Sequence, residues 1–286
     1  MRSLSLTAVR SMHYSARIGI LVAITALVFG AISLVPPIAQ NPAYHRFVDG
    51  RTCLGIANFG NVASNIGFLI FGLFGLLYVL GRNGRALLAT PQERLPYVIF
   101  FTGVALVSIG SAYYHADPTN QTLVWDRLPL TVAFMALFAA FIMDRVHFRF
   151  GLFVVLPLLL AAGAASIVYW DWTETAGAGD LRPYVLVQFY PILAIPLICL
   201  LFPGRCTSGD AVSRMIVWYG FAKLVEHADG TIFAALGNAV SGHTIKHLLA
   251  AMAVYEVLRM LRAAEPGRTG SIDQRSEAVP IQRRIV

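Results

Sequence analysis

Residues 151–170 read GLFVVLPLLLAAGAASIVYW, an apolar run without a charged side chain. A helix needs about 20 such residues to cross the hydrocarbon core of a bilayer. In water, a helix that is apolar on every face would have to be buried on all sides. The stretch, which lies within the apolar segment 150–170, therefore predicts a membrane-spanning helix.

The composition of the whole chain agrees with this stretch. Of the 286 residues, 57% are hydrophobic and 13% are charged, and the mean hydropathy is +0.66. Soluble domains usually carry about 25% charged residues, so an ordinary soluble domain is excluded. The net charge is +7, but the basic residues lie in loops and tails between apolar runs, so no nucleic-acid partner is expected.

The remaining apolar segments predict the fold class. Seven further segments lie at 18–38, 62–80, 97–114, 128–143, 184–202, 213–236 and 243–261. Because every backbone polar group must find a partner inside the bilayer, spans of this length are expected to be helices. The sequence predicts an all-α integral membrane protein with eight spans, of which 213–236 is the most polar.

The two ends of the chain are expected to differ from its centre. The first apolar segment resembles a signal peptide, but it is longer than a normal signal core and no clear cleavage site follows. We therefore expect residues 1–44 to form a cytoplasmic segment and an extra transmembrane helix. Residues 45–262 form the predicted core. Residues 263–286 are rich in Arg, Gly, Ser and Pro and are predicted to be a disordered cytoplasmic tail.

The distribution of arginines predicts the orientation. Eight spans put both termini on one side, and that side holds sixteen arginines against at most five basic residues opposite. The arginines of the terminal side are Arg2, Arg10, Arg17, Arg82, Arg85, Arg94, Arg145, Arg149, Arg205, Arg214, Arg259, Arg262, Arg268, Arg275, Arg283 and Arg284, and those opposite are Arg46, Arg51, Arg127 and Arg182, with Lys246 just inside a span. Because cytoplasmic loops carry the excess of positive charge, both termini are expected in the cytoplasm.

Polar residues capable of chemistry occur at the ends of three spans. Ser111 and His115 are four residues apart near the end of the third span, and Asp126 opens the fourth. His243 and His247 are four residues apart at the start of the last span. Residues with this spacing share one helix face, and such a histidine pair can bind a single ion.

The predicted topology brings these five residues to the same membrane face. Three neutral imidazoles with an open fourth position are typical of a catalytic zinc site, although iron, copper or nickel would also accept such ligands. The alternative is that each histidine caps a helix or meets a lipid headgroup. We expect His115, His243 and His247 to hold a metal at the outward face.

These motifs resemble the alkaline ceramidase family, within the seven-helix membrane hydrolases that include the adiponectin receptors. The family pattern is S-x3-H, then an Asp opening the next helix, then H-x3-H on the last helix. The segments 242–251 and 49–65 resemble bacterial members. The resemblance covers about residues 45–262. It implies a seven-helix core preceded by one extra helix. Together with the orientation predicted from the arginines, we expect a multi-pass protein of the bacterial inner membrane with its site towards the periplasm.

The resemblance also implies the chemistry. The expected activity is zinc-dependent hydrolysis of the amide bond of ceramide or a related N-acyl lipid. Asp126 would move protons and Ser111 would stabilise the oxyanion, as catalytic residues beside the three metal ligands. Animal members also bind calcium before the first core helix, but here only Asp49 is available and Asn58 stands where an acidic ligand is expected, so Zn²⁺ alone is expected.

Other interpretations of the polar residues remain open. A lipid receptor of the same fold would hold a structural zinc, and a transporter would line a path across the bilayer. Several polar residues have more than one reading. Asp126 acts in catalysis, pairs with Arg127 or caps a helix. Ser111 stabilises the oxyanion or bonds to its own helix backbone. Other polar residues also have two readings: capping a helix or supporting the site for Asn61, Ser64 and Asn65, and contacting the histidines or pairing with Lys223 for Glu226 and Asp229. Trp125, Tyr169, Trp170 and Trp172 are predicted to lie in the interfacial aromatic belt.

Overall fold

The fold is a bundle of long helices. The computed structural model describes residues 12–264, and no β-strand occurs within them. The helices are α1 Tyr14–Ser33, α2 Phe59–Leu80, α3 Pro91–Ala116, α4 Asn120–Arg145, α5 Phe148–Thr175, α6 Arg182–Leu201, α7 Gly209–His227 and α8 Gly242–Ala263. Two short helices, Arg82–Leu87 and Asp229–Ala235, lie in connections. The predicted disordered tail falls almost wholly outside the described residues, as does the start of the predicted N-terminal segment.

Within residues 12–264, six helices, α1 to α6, are long and apolar enough to cross a membrane. The prediction of an all-α membrane protein is therefore confirmed. Helices α7 and α8 are also long, with 19 and 22 residues, but they carry more charge. The predicted segment 213–236 is interrupted, because α7 ends at His227 and the short helix Asp229–Ala235 follows.

Capping interactions determine where the site-bearing helices begin. Helix α4 starts with a reciprocal capping box in which Thr119 and Thr122 bond to each other's backbone amides. The Ser241 side chain accepts a hydrogen bond from the Thr244 amide at the start of α8. Because such caps satisfy amides that have no partner within the helix, they set the depth at which Asp126 and His243 enter the bundle.

Two glycines allow the site-bearing helices to approach closely. A Cβ atom at Gly110 on α3 would collide with the carbonyl oxygen of Trp125 on α4. A Cβ atom at Gly242 would similarly collide with the carbonyl oxygen of Val225 on α7. The backbones of α3 and α4, and of α7 and α8, are therefore in contact near the end of the bundle that carries the histidines.

The buried apolar residues form two clusters. The larger runs through the middle of the bundle and includes Phe101, Phe141, Ile198 and Leu258. The smaller lies near the histidines and comprises Tyr114, Leu123, Ile167, Trp170 and Tyr184. The prediction that Trp170 belongs to the interfacial belt is wrong, because its side chain is fully buried beneath the guanidinium of Arg127.

Helix α1 lies beside the other seven, and none of its residues is buried. Its first turn is attached by a hydrogen bond from the Tyr14 hydroxyl to the Val146 carbonyl. Just beyond its last turn, Arg182 donates to the Val35 carbonyl. Between these attachments, Thr25 and Phe29 of α1 contact Tyr190 of α6, and a cavity of about 620 Å³ lies among α1, α4, α5 and α6. The peripheral position of α1 agrees with its prediction as an extra helix outside the core. The predicted domain boundary at residue 45 stays a prediction.

Candidate active site

The three predicted histidine ligands meet at one end of the bundle, which we call the histidine end. His115 comes from the last turn of α3, and His243 and His247 come from the first two turns of α8. All three side chains are buried. The His115 Nε2 atom lies 3.2 Å from the His247 Nε2 and 3.4 Å from the His243 Nε2. One ligand atom from each residue lies within 4.8 Å of the others.

These distances fit a metal ion. Zinc–nitrogen bonds of about 2.0–2.1 Å in a tetrahedral site place neighbouring ligand nitrogens about 3.3–3.4 Å apart. Hydrogen bonding between the rings explains the geometry less well, because the His115 Nε2 approaches both of the other rings and a neutral imidazole nitrogen makes one such bond. The expectation that the three histidines come together is confirmed, and the cluster could hold a metal ion.

Neighbouring polar groups orient two of the histidines. The Ser64 hydroxyl lies 2.8 Å from the His247 Nδ1, and it also donates to the Asn61 carbonyl at 3.1 Å. Ser64 therefore accepts the Nδ1 proton, which leaves the His247 Nε2 lone pair free for a metal. The Asp229 carboxylate accepts a hydrogen bond from the His243 amide at 2.8 Å, so Asp229 supports the start of α8 rather than the imidazole.

Ser111 and Asp126 lie together beside the histidines. The Ser111 side chain is buried, and its hydroxyl is close enough to interact with the Asp126 carboxylate. The close contact at Gly110 explains this proximity, because it brings the α3 backbone against the start of α4. The structure thus places the two predicted catalytic residues side by side.

The contacts of Arg127 do not support the alternative that Asp126 forms an ion pair with it. Its Nη2 donates to the Gln40 side chain at 2.7 Å. Its guanidinium lies over the rings of Trp170 and Tyr184. Arg127 is thus held by the smaller apolar cluster and by the segment before α2.

That segment covers the histidines, which the sequence interpretation missed. The Phe47 ring packs edge-on against His115 and His243, with ring centroids 4.7 and 4.9 Å apart. His45 bridges the Tyr114 hydroxyl and the Asn120 side chain at 3.0 and 2.9 Å. An aromatic residue in a polar connection has no distinctive spacing, so only the three-dimensional contact reveals Phe47.

An ion pair anchors the same segment. Both carboxylate oxygens of Asp49 accept from Arg51 at 2.7 Å, and Arg51 also donates to the Ala239 carbonyl before α8. These hydrogen bonds hold the pKa of Asp49 below its usual value. Asp49, the one acidic residue expected for a calcium site, is thus engaged by an arginine of its own segment.

A second feature missed at the sequence level is a charged group next to His243. The Lys246 Nζ lies 2.8 Å from Glu226 and 2.9 Å from the His243 Nε2. The other carboxylate oxygen of Glu226 binds Lys223 at 2.8 Å. Of the two readings of Glu226, the structure supports pairing with Lys223.

An apolar cavity of about 160 Å³ lies in the core next to the histidines. Its wall includes Val107, one turn before Ser111, and Leu130, one turn after Asp126. Phe68 lines it as well and packs against the His247 ring with centroids 6.2 Å apart. The cavity therefore lies close to the polar site, one helical turn from Ser111 and Asp126.

The comparison with known families agrees with this combination of groups. A family model described as Ceramidase matches residues 52–198, just over half of the 286 residues. The matched region contains Ser111, His115 and Asp126 and ends before α8. The chain therefore belongs to the ceramidase family, and it is a membrane hydrolase that acts on the amide bond of ceramide.

Proposed function

We propose that the chain is a zinc-dependent ceramide amidohydrolase. In this proposal His115, His243 and His247 hold the zinc, and Ser111 and Asp126 are the catalytic residues. The observation that carries it is the approach of the three Nε2 atoms, at 3.2 and 3.4 Å, beside the Ser111 and Asp126 pair. Three nitrogen ligands are the donor set of many catalytic zinc sites.

The protein groups around the metal have distinct tasks. A zinc ion held by the three histidines would polarise the amide carbonyl and lower the pKa of water from about 15.7 towards 7. Asp126 accepts the proton of the attacking water and delivers it to the nitrogen of the leaving amine. Ser111 donates a hydrogen bond to the oxygen that becomes negatively charged. The new C–O bond and the broken C–N bond yield a fatty-acid carboxylate and a sphingoid amine.

The apolar cavity supports a substrate with a long hydrocarbon chain. Its wall is almost wholly hydrocarbon, including Val104, Leu137 and Val254. Ligand sites of this kind are mostly apolar with a few convergent polar groups. We propose that one chain of ceramide occupies this cavity while the amide lies among the histidines, Ser111 and Asp126.

The arrangement in the membrane is also a proposal. We infer that α7 and α8 cross the bilayer like the six apolar helices, because α8 runs beside α2 from the histidines to a hydrogen bond between the Tyr78 hydroxyl and the Leu261 carbonyl. The excess of arginines at the end opposite the histidines supports cytoplasmic termini. In a bacterium, the site would then face the periplasm from the inner membrane.

Hydrolysis assays with the purified protein test the proposed mechanism. The wild type should release fatty acid from ceramide, and a chelator should stop this release. Asp126→Asn should slow hydrolysis by about 10²–10⁴ while zinc stays bound, because Asp126 is not a ligand. Ser111→Ala should cost about 10²–10³.

The assay separates the enzyme from a receptor with a structural zinc. A receptor would show no release of fatty acid from any lipid in a panel of ceramides and related N-acyl lipids. Wild-type turnover by Asp126→Asn would instead remove Asp126 from the mechanism without removing the activity. Measuring zinc content beside turnover ensures that lost activity is not simply lost metal.

A further inference from the structure

Lys246 is a partly buried cation that the proposed mechanism does not use. It lies on α8 between His243 and His247, and its side chain is 16% exposed. An ammonium group at such a position in a membrane helix is costly and calls for a functional explanation. Glu226 compensates only half of the local positive charge, since its two oxygens bind Lys246 and Lys223 separately. Lys246, Glu226 and Lys223 together therefore keep one net positive charge.

The other charged groups nearby each have a contact of their own, although the Arg127 Nη1 has no hydrogen-bond partner within residues 12–264. The Asp229 carboxylate accepts from the His243 amide, and Arg127 is bound by Gln40. The Asp126 carboxylate lies next to the Ser111 hydroxyl. Lys246 contacts a ring nitrogen of the histidine cluster directly, and its ammonium is therefore within reach of a group bound at the histidines.

The contact between Lys246 and His243 cannot coexist with metal binding at the same nitrogen. The His243 Nε2 that lies 2.9 Å from the ammonium has one lone pair, and it can accept a hydrogen bond or ligate a metal. When a metal binds this nitrogen, Lys246 loses a hydrogen-bond acceptor. Its ammonium is then available to a negatively charged oxygen in the site.

The reaction produces such an oxygen at this place. We propose that Lys246 binds the carboxylate of the fatty acid that ceramide hydrolysis releases, a role that rests on the proposed function for the identity of the acid. Charge-assisted hydrogen bonds of an ammonium to a carboxylate are about twice as strong as neutral ones. Lys246 would thus be a product-binding residue, and Glu226 would hold it in position and compete with the product.

Fatty-acid binding to zinc-loaded protein tests the proposal without relying on turnover. The probes are a long-chain fatty acid and the fatty alcohol of the same length, which lacks the charge. Lys246→Met should weaken binding of the acid about 10- to 100-fold and leave the alcohol unchanged. Lys223→Met is the matched control, since it removes the other lysine of the same glutamate and should change acid binding much less. Glu226→Gln should strengthen acid binding.

Zinc affinity distinguishes this role from a structural one. Because Lys246 competes for the His243 Nε2 and repels a dication, Lys246→Met should bind zinc more tightly than the wild type. A residue needed only for the fold would weaken both zinc and acid binding when replaced. Lys246→Arg keeps the positive charge and should keep the preference for the acid over the alcohol. This second variant tests the proposal even if Lys246→Met folds poorly.

The outcomes separate this inference from the proposed function. Equal acid affinity in Lys246→Met and the wild type would overturn the inference even if ceramide is hydrolysed. A joint loss of zinc and acid binding in both Lys246 variants would overturn it as well. If the wild type hydrolyses no lipid but prefers the acid through Lys246, the proposed function fails and the anion site stands.

Discussion

The two ends of the helix bundle use polar side chains in opposite ways. At the end away from the histidines, Asp144 accepts from the Thr207 hydroxyl at 2.6 Å and from the amides of Arg205, Cys206 and Thr207 at 3.0–3.1 Å. The adjacent Arg145 donates to the Phe202 and Thr207 carbonyls at 2.6 Å. Asp144 and Arg145 are thus both surrounded by partners from the connection between α6 and α7.

The polar groups of the histidine end leave binding capacity unused. The His115 Nδ1 and the Arg127 Nη1 are buried and have no hydrogen-bond partner within residues 12–264. The His115 Nε2 faces the Nε2 atoms of His247 and His243 rather than an acceptor of its own. Because buried polar groups are nearly always paired, such convergence indicates a ligand site, while the saturated network around Asp144 indicates a structural connection.

The thiol in the saturated network is also unreactive. Burial raises the pKa of Cys206 to about 11, so it is a neutral thiol at physiological pH. A thiolate is the reactive form, and Cys206 is therefore a packing residue.

The largest difference between the ends should appear when one histidine is removed. His247→Ala should lose most of the bound metal and with it the hydrolysis of ceramide, because two imidazoles remain. Elemental analysis of the purified variant and a fatty-acid release assay measure both effects. His147→Ala is the control, since His147 caps the start of α5 at the opposite end and should retain both. A variant His247→Ala with full metal content would contradict the site.

A smaller effect of a different kind is expected from Asp144→Asn. The asparagine keeps one acceptor oxygen for the three backbone amides but is neutral, and the loss of charge from these hydrogen bonds should lower stability by about 2–3 kcal/mol. Thermal unfolding in detergent measures the shift, while zinc per folded protein should stay unchanged. Asp210→Asn, at an exposed position in the first turn of α7, should unfold like the wild type. A loss of metal without destabilisation would refute the assignment of Asp144 to structure.

The smallest effect should follow from Ser64→Ala. The change removes the acceptor of the His247 Nδ1 proton and should weaken zinc binding about 10- to 100-fold, with stability nearly unchanged. Competition with a chelator measures the affinity. Ser213→Ala, an exposed serine of α7, is the control. Unchanged zinc affinity in Ser64→Ala would show that the histidines need no orientation by their neighbours.

The membrane helices and the position of the three histidines follow from the sequence alone. Apolar runs such as 151–170 predict membrane helices because the bilayer forces every span to satisfy its own backbone. The order of the spans then predicts which helix ends lie on the same membrane face. The sequence alone therefore assigns His115, His243 and His247 to one end of the bundle. The spacing of four residues in Ser111/His115 and in His243/His247 also predicts that the two residues of each pair share a helix face.

The tertiary structure decided the contacts between helices. Lys246 follows His243 by three residues, but its approach to Glu226 on α7 depends on how α7 and α8 rotate and pack at Gly242. Trp170 was misplaced for the same reason, because its burial depends on Arg127 of another helix. Hydropathy and spacing determine the length, depth and face of a single helix, whereas side-chain partners across helices depend on packing that no single segment encodes.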